Sequence, residues 1–271
     1  MEREMIKAND ISNEVCTQTT KFMLQPSSPD GLLRRDDVSM FEVLFENLLD
    51  VYFYVKDING CWVSCNTASL ELLNLSQVTD VIGAKEEDFF PQEIAESIRL
   101  DDQKILNHGK SVLNRIEIIT NNYGELIWVN TNKLPVFGVN EKVIGIVGIT
   151  RAIVEQKALP KKYELFNGAV DYIRANLNKT ITVSDLAHEA NLSESQLRRK
   201  FQQEFGLSPQ AFIQRARLQA AAHILRTETN TISQVALQSG FSDQSYFTRQ
   251  FKKFFGKTPK NYSQSWKSEA K

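Results

Sequence analysis

Two stretches of polar side chains near the carboxyl end are spaced to do one chemistry. Ser195, Arg198, Arg199 and Gln202 fall on one stripe of a helical period, and Gln244, Ser245, Thr248, Arg249 and Lys252 fall on another. These are donor-rich types that suit the edges of bases: Arg to guanine, Gln to adenine, Ser and Thr to either. Acidic residues avoid the middle of both stripes, which a merely solvated face would not require. The charge distribution points the same way. Residues 165–271 carry 15 Lys and Arg against 8 Asp and Glu, a net +7, while residues 1–164 hold 17 against 25, a net −8. A basic half suits a polyanionic partner, and the overall −1 hides it.

Other chemistries find little support. Three scattered cysteines do not make a disulfide framework, and Cys61 and Cys65 have too few Cys and His nearby for a zinc quartet. Four apart on one strand, they would share a face, where buried thiols serve as small hydrophobes or, as the sharper alternative, as a redox pair. His108 ends a helix and reads as an exposed capping residue rather than a haem ligand; His188 and His223 read as surface residues. No hydrolase triad, phosphate loop or paired carboxylates stand out, so no enzyme is expected. MEREMIKAND lacks the apolar core of a secretory signal, and the best apolar run, Val143–Ile149, has seven residues, short of the roughly 18–20 of a membrane span. The expectation is a soluble protein of a reducing cytoplasm, with no membrane partner.

The elements that must carry the two stripes form an internal repeat. Phe205-Gly206-Leu207-Ser208-Pro209-Gln210-Ala211-Phe212 recurs as Phe255-Gly256-Lys257-Thr258-Pro259-Lys260-Asn261-Tyr262, fifty residues on. Upstream, Leu186-Ala187 answers Val235-Ala236, and Leu192-Ser193 answers Phe241-Ser242, at an offset of forty-nine. Each copy reads as helix, tight turn, helix. Asn191 and Gly240 take the turns, Ser193 and Ser242 cap the second helices, and Leu197, Phe201, Phe205 and Phe247, Phe251, Phe254 face inward.

Residues 165–265 closely resemble the AraC/XylS-type DNA-binding domain. The match rests on Leu186-Ala187, Leu192-Ser193, Leu197, Phe201, Phe205-Gly206, Pro209 and Phe212, then Ile232, Ala236, Gly240-Phe241, Tyr246-Phe247, Phe251-Lys252, Gly256, Pro259 and Tyr262. The resemblance implies seven helices: two helix-turn-helix subdomains joined by a long helix over Pro209–Arg226. Each would place a recognition helix in the major groove of double-stranded DNA, about one turn (~34 Å) apart. By position, Ser195, Arg198, Arg199, Gln202, Gln244, Ser245, Thr248 and Arg249 would read bases, while Lys200, Lys252 and Lys253 would meet phosphates. Activation of transcription is the family's usual output, with RNA polymerase as a partner. Some members are fused to alkyltransferases that need four cysteines around zinc; three exclude that here.

The amino-terminal half has different patterning. Residues 1–36 are polar and weakly patterned, and are expected to be disordered or a frayed helix. A helical pattern over Val38–Leu49 precedes the strand formers Val51–Val55, an Asn59-Gly60 hairpin signal and a return strand, Cys61–Cys65. Helical segments over Thr67–Leu73 and Gln92–Asn107 follow, then strands over Val112–Ile119, Leu126–Leu134 and Val143–Ile149. The order predicts an α+β domain: a five-stranded antiparallel sheet with flanking helices, followed by an all-α domain with two helix-turn-helix subdomains. The expected boundaries are 1–36 extension, 37–152 sheet domain, 153–164 linker and 165–271 helical domain. The linker stretch Ala152–Lys162 could be a helix until Pro160 interrupts it.

Residues 40–152 resemble a PAS domain. The carriers are Val55-Lys56-Asp57, Asn59-Gly60, Asn66, Ile82-Gly83, Asp88-Phe89-Phe90-Pro91, Ala95, Asp101-Asp102 and Gly109. Such domains sense ligands, redox state or light, and often dimerise through the preceding helix, here Asp37–Leu49. The flavin-reactive cysteine motif is missing, and neither flavin nor haem is expected. A small organic ligand remains, with Tyr52, Tyr54, Phe89, Phe90, Trp128 and Asn130 as the pocket. The alternatives are a PAS domain without ligand, serving dimerisation or partner binding alone, and one that senses redox state or haem.

Overall fold

The computed structural model describes residues 21–28, 31–48, 50–154 and 159–269. Its amino-terminal domain contains six strands, β1 (Phe22–Met23), β2 (Val51–Asp57), β3 (Trp62–Cys65), β4 (Val112–Thr120), β5 (Leu126–Phe137) and β6 (Val143–Ala152). The helices interleaved with them are α1 (Arg35–Glu46), α2 (Thr67–Leu73), α3 (Glu86–Phe89) and α4 (Gln92–His108), with one 3-10 turn at Val78–Asp80.

The sheet is six-stranded and mixed, not five-stranded and antiparallel. Strands β2 to β6 pair antiparallel, in the order β4-β5-β6-β2-β3, and β1 pairs in parallel with the far end of β5, Phe22 opposite Val136. A two-residue strand carries no detectable alternation, so sequence pattern misses it. The polar extension is correspondingly not structureless throughout: Leu33 is 3% exposed and packs with Val38, Phe53, Val55 and Val136. Residues 1–20, 29 and 30, on which the rest of that expectation falls, lie outside the described residues. The strand expected over Cys61–Cys65 starts at Trp62, which leaves Cys61 in the turn.

Asn66 secures the crossover from sheet to helix. Its Oδ1 accepts from the Ser69 amide, capping α2, and from the Phe53 amide, while its Nδ2 donates to the carbonyls of Phe45 and Val51. One side chain thus satisfies backbone groups of three elements, the accounting a buried polar atom requires.

The expected helix over Ala152–Lys162 does not form at its described ends. Ala152 ends β6, Ile153 and Val154 are irregular, and α5 (Lys161–Glu164) starts only after Pro160; residues 155–158 lie outside the described residues. Seven further helices follow among the described residues: α6 (Asn167–Asn176), α7 (Val183–Glu189), α8 (Glu194–Phe205), α9 (Pro209–Thr227), α10 (Ile232–Gln238), α11 (Gln244–Phe255) and α12 (Pro259–Glu269). They hold two cores. Phe166, Ile173, Leu186, Leu197 and Phe201 centre the first, and Leu218, Val235, Phe247, Phe251 and Phe254 the second, with α9 contributing to both.

Those cores are not separate from the sheet. Ile116, Leu126 and Trp128, from β4 and β5, are buried in the same cluster as Tyr163 and Phe166. Trp128 lies 6.0 Å from Tyr163 and 5.9 Å from Phe205, ring centre to ring centre. The first subdomain therefore covers one end of the outer sheet face, whose other end is covered by α1 through Phe41 and Phe45.

Candidate functional site

The duplicated unit is reproduced residue for residue until one turn. Helices α7 and α10 are both seven residues long and start at Val183 and Ile232; Thr182 and Thr231 cap them by accepting from the amides of Asp185 and Gln234. Helices α8 and α11 are both twelve residues long and end on Gly206 and Gly256, in the left-handed conformation at φ 68° and 74°. The single inserted residue lies in the second turn. It moves the cap of α11 from Ser242, the expected residue, to Asp243, whose Oδ1 accepts from the Tyr246 amide. Ser193 caps α8 as expected. Asn191 (φ 52°) and Gly240 (φ 81°) make the turns. Gly240 is required twice over, because a Cβ there would stand 2.3 Å from the Leu177 carbonyl oxygen.

The outward faces of α8 and α11 carry the donors. Ser195, Arg198, Arg199, Gln202, Gln244, Ser245, Arg249, Lys252 and Lys253 are exposed, and Lys200 and Thr248 are half-buried. Leu197, Phe201, Phe247 and Phe251 hold the opposite faces in the cores at 0% exposure. Arg198 donates to Gln210 Oε1 at 3.0 Å, and Arg249 lies 5.9 Å from the Tyr246 ring. The second subdomain is fastened to α9 through Gln214, whose Nε2 donates to Gln250 Oε1 of α11 at 2.7 Å. That bond, absent from the sequence reading, ties α11 to the long helix and so to α8.

The second site is a cavity of about 320 Å³ between the sheet, α3 and α4. Of the six residues named for a pocket, Tyr52, Tyr54, Phe89 and Phe90 line this cavity; Trp128 and Asn130 do not. Successive residues of a strand point to opposite faces. Trp128 and Asn130 share the outer face, so it is Thr131 and Lys133 that face the cavity. The sequence-based choice on β5 was off by one residue in parity. Tyr54 fits because its cross-strand partner is Gly148, where a Cβ would stand 2.2 Å from the ring.

Three of the lining residues, Lys56, Glu86 and Lys133, join Asp102 in a cluster of four buried charges. Lys56 Nζ meets Glu86 Oε1 and, at 2.6 Å, Asp102 Oδ2; Lys133 Nζ meets Asp102 Oδ1 at 2.5 Å. Trp62 Nε1 donates to Glu86 Oε1 at 3.0 Å, and Lys56 Nζ lies 5.2 Å from the Tyr54 ring. Alternating signs offset the cost of burying each ion. Burial also pushes the Tyr54 phenol far above its ordinary range, so it acts only as a neutral group. Asp101, nearer the mouth, is raised by burial but lowered further by its bonds to Arg115 and Lys104, and stays ionised. Two charged lysines inside an apparent strand core gave no periodic signal, and sequence reading missed both.

The remaining candidates separate. Burial pushes the Cys65 thiol up to about 12, and burial raises Cys61 as well, so neither has the thiolate character of a sensor. His108 bonds the Lys104 carbonyl at 2.9 Å in the last turn of α4 and does not line the cavity. His188 is exposed, but His223 is half-buried where α9 meets the turn before β5, which corrects its reading as a surface residue. Among the described residues no Cys, His, Asp and Glu group could hold a metal, and no helix is long and apolar enough to cross a membrane.

Comparison with known proteins identifies both domains. Residues 45–158 match the PAS-fold family, and residues 186–265 match a helix-turn-helix domain family. The raffinose operon transcriptional regulatory protein RafR of Pediococcus pentosaceus is 35% identical over 105 residues, covering 39% of this chain and 38% of its own. The probable transcriptional regulator LumQ of Photobacterium leiognathi is 35% identical over 104 residues, 38% of this chain and 42% of its own. The chain thus spans about two fifths of the length of these relatives. A crystal structure of a probable AraC family transcriptional regulator from Rhodopseudomonas palustris is 32% identical, covers 38% of this chain and 96% of its own, and superposes with a TM-score of 0.35. Residues 186–265 thus carry a helix-turn-helix domain of the AraC type, and residues 45–158 carry a PAS fold.

Proposed function

We propose that this chain is a sequence-specific DNA-binding regulator of transcription whose PAS cavity takes a small molecule. One observation carries the first half: two twelve-residue helices fifty residues apart end in the same way and present exposed donor stripes. In this reading α8 and α11 enter successive major grooves. Ser195, Arg198, Arg199, Gln202, Gln244, Ser245, Thr248 and Arg249 contact base edges; Lys200, Lys252 and Lys253 contact phosphates. The relatives named above are transcriptional regulators by their names, which supports the same output, with RNA polymerase as the partner of an activator.

The outer face of α1 supports homodimerisation. Met40, Val43 and Leu44 are 73%, 74% and 64% exposed, next to a face that packs on the sheet. An apolar stripe of this kind on a helix suits a second copy of the chain.

The test is selection of bound duplexes from a random pool by the full chain, followed by gel shifts of the selected site. Arg199→Ala and Thr248→Ala should each weaken binding by roughly 1–3 kcal/mol. Unchanged binding by both variants would remove the recognition helices from this role.

A further inference from the structure

The cavity in the PAS domain is not closed by that domain. Arg215, Gln219, Ala222 and Arg226 of α9 line its mouth, together with Phe255 of α11 and Tyr262 of α12. The carboxyl-terminal domain straddles the edge strand β4. Its first subdomain covers the outer sheet face, and α9 crosses the edge, where Thr120 Oγ1 donates to Gln219 Oε1 at 2.9 Å. The second subdomain then reaches the cavity side, where Ile94 of α4 packs on the core formed by Phe247, Phe251 and Phe254.

The charges along the cavity are not equally engaged. Lys56 and Lys133 are held by Glu86 and Asp102, and Arg115 by Asp101 and Glu117. Arg215 differs. Its carboxylate partner Glu93 stands outside the cavity lining at 3.5 Å, beyond ordinary hydrogen-bond length, and the Arg215 side chain is 26% exposed. A cation at the mouth is thus loosely paired, while the interior offers the rings of Tyr54, Trp62, Phe89 and Phe90. The volume, about 320 Å³, lies at the small end for ligand pockets.

We propose that this cavity is an effector site built by both domains, and that it takes a small organic acid with a flat apolar body. The acid group pairs with Arg215 and the body lies among the aromatic rings. The inference rests on the reading that the cavity takes a small molecule, and adds the ligand class and the second wall. An occupant touching both domains binds the docked arrangement more tightly than a separated one. It therefore shifts the chain toward docking by the ratio of those affinities.

The experiment is calorimetric titration of the full chain with 2-naphthoate and with its uncharged amide, 2-naphthamide. The acid should bind at least about tenfold more tightly than the amide, the worth of one charge-assisted bond. Arg215→Gln should erase that preference by weakening the acid alone. Glu93→Gln, which removes the competing carboxylate, should tighten the acid roughly twofold to fivefold. A merely structural role for Arg215 predicts no opposite responses; an unaltered preference in Arg215→Gln, or weaker acid binding in Glu93→Gln, overturns the proposal. Equal binding of acid and amide by the unsubstituted chain overturns the acid site and leaves a small-molecule pocket standing. If neither probe binds while duplex binding is intact, the small-molecule reading falls, and this inference with it.

Discussion

The Arg174 guanidinium donates two hydrogen bonds, of 3.0 and 2.6 Å, to the carbonyl oxygen of Leu126. Arg174 belongs to α6 and Leu126 to the first residue of β5, so the pair joins the two domains beside the Trp128 cluster. Without the guanidinium, a carbonyl at a buried residue loses its donors. Arg174→Ala should destabilise the docked arrangement by about 1–3 kcal/mol. Hydrogen exchange should quicken at the amides of β4 and β5 and stay unchanged in β2. Equal protection at β4 and β5 in both proteins would show that docking does not depend on this pair.

Gly148 has no room for a methyl group beneath Tyr54. Gly148→Ala must displace the ring or bend β6, at a cost of roughly 1–3 kcal/mol. Thermal unfolding should show the loss, and the cavity should shrink, lowering the affinity of any occupant. A variant as stable as the parent would mean that the ring moves aside freely.

His223 should make docking sensitive to mild acid. Burial, and then the Arg226 charge, hold its imidazole below the ordinary value of 6.5, against opposing influences of the Asn122 backbone, Glu228 and Glu125. The undocked or unfolded chain protonates first as pH falls. The docked form is therefore at full strength above about 6.5 and loses stability between there and the lower docked value. In His223→Gln this part of the pH dependence of the melting temperature should vanish. A slope identical in both proteins would locate the effect elsewhere.

Base and phosphate contacts should separate by their response to salt. Lys253→Ala should weaken all duplexes alike and reduce the slope of log affinity against log salt by about 1. Arg249→Ala should also relax discrimination at one position of the selected site, by roughly 1–3 kcal/mol. Interchanged outcomes would exchange the two assignments.

Cys65 should resist alkylation. With its thiol buried at the end of β3 and pushed up to about 12, little thiolate is present at neutral pH. Iodoacetamide should modify it only after unfolding. Fast modification of the native chain would reopen a redox role.

Repetition made the helical domain legible. The offsets of fifty and forty-nine between copies located α7, α8, α10 and α11, and their apolar stripes assigned the inward faces. The error at Ser242 arose in the one place where the copies differ, because an inserted residue changes which side chain meets the first free amides. In the sheet, alternation located β2 and β4 to β6 but left the face of β5 open. A parity slip sends every side chain to the wrong layer, and Trp128 and Asn130 were misplaced in that way.

Periodicity, caps and turn residues are local properties, so the chain alone determined its two domains, their helices and the donors on α8 and α11. Which surfaces meet is not local. Lys56 and Lys133 are buried because Glu86 and Asp102, distant in sequence, arrive to neutralise them. The cavity gains Arg215 and Gln219 because α9 crosses β4. Such contacts depend on complementary shape and charge between segments that carry no pattern in common, and only the tertiary structure brings them together.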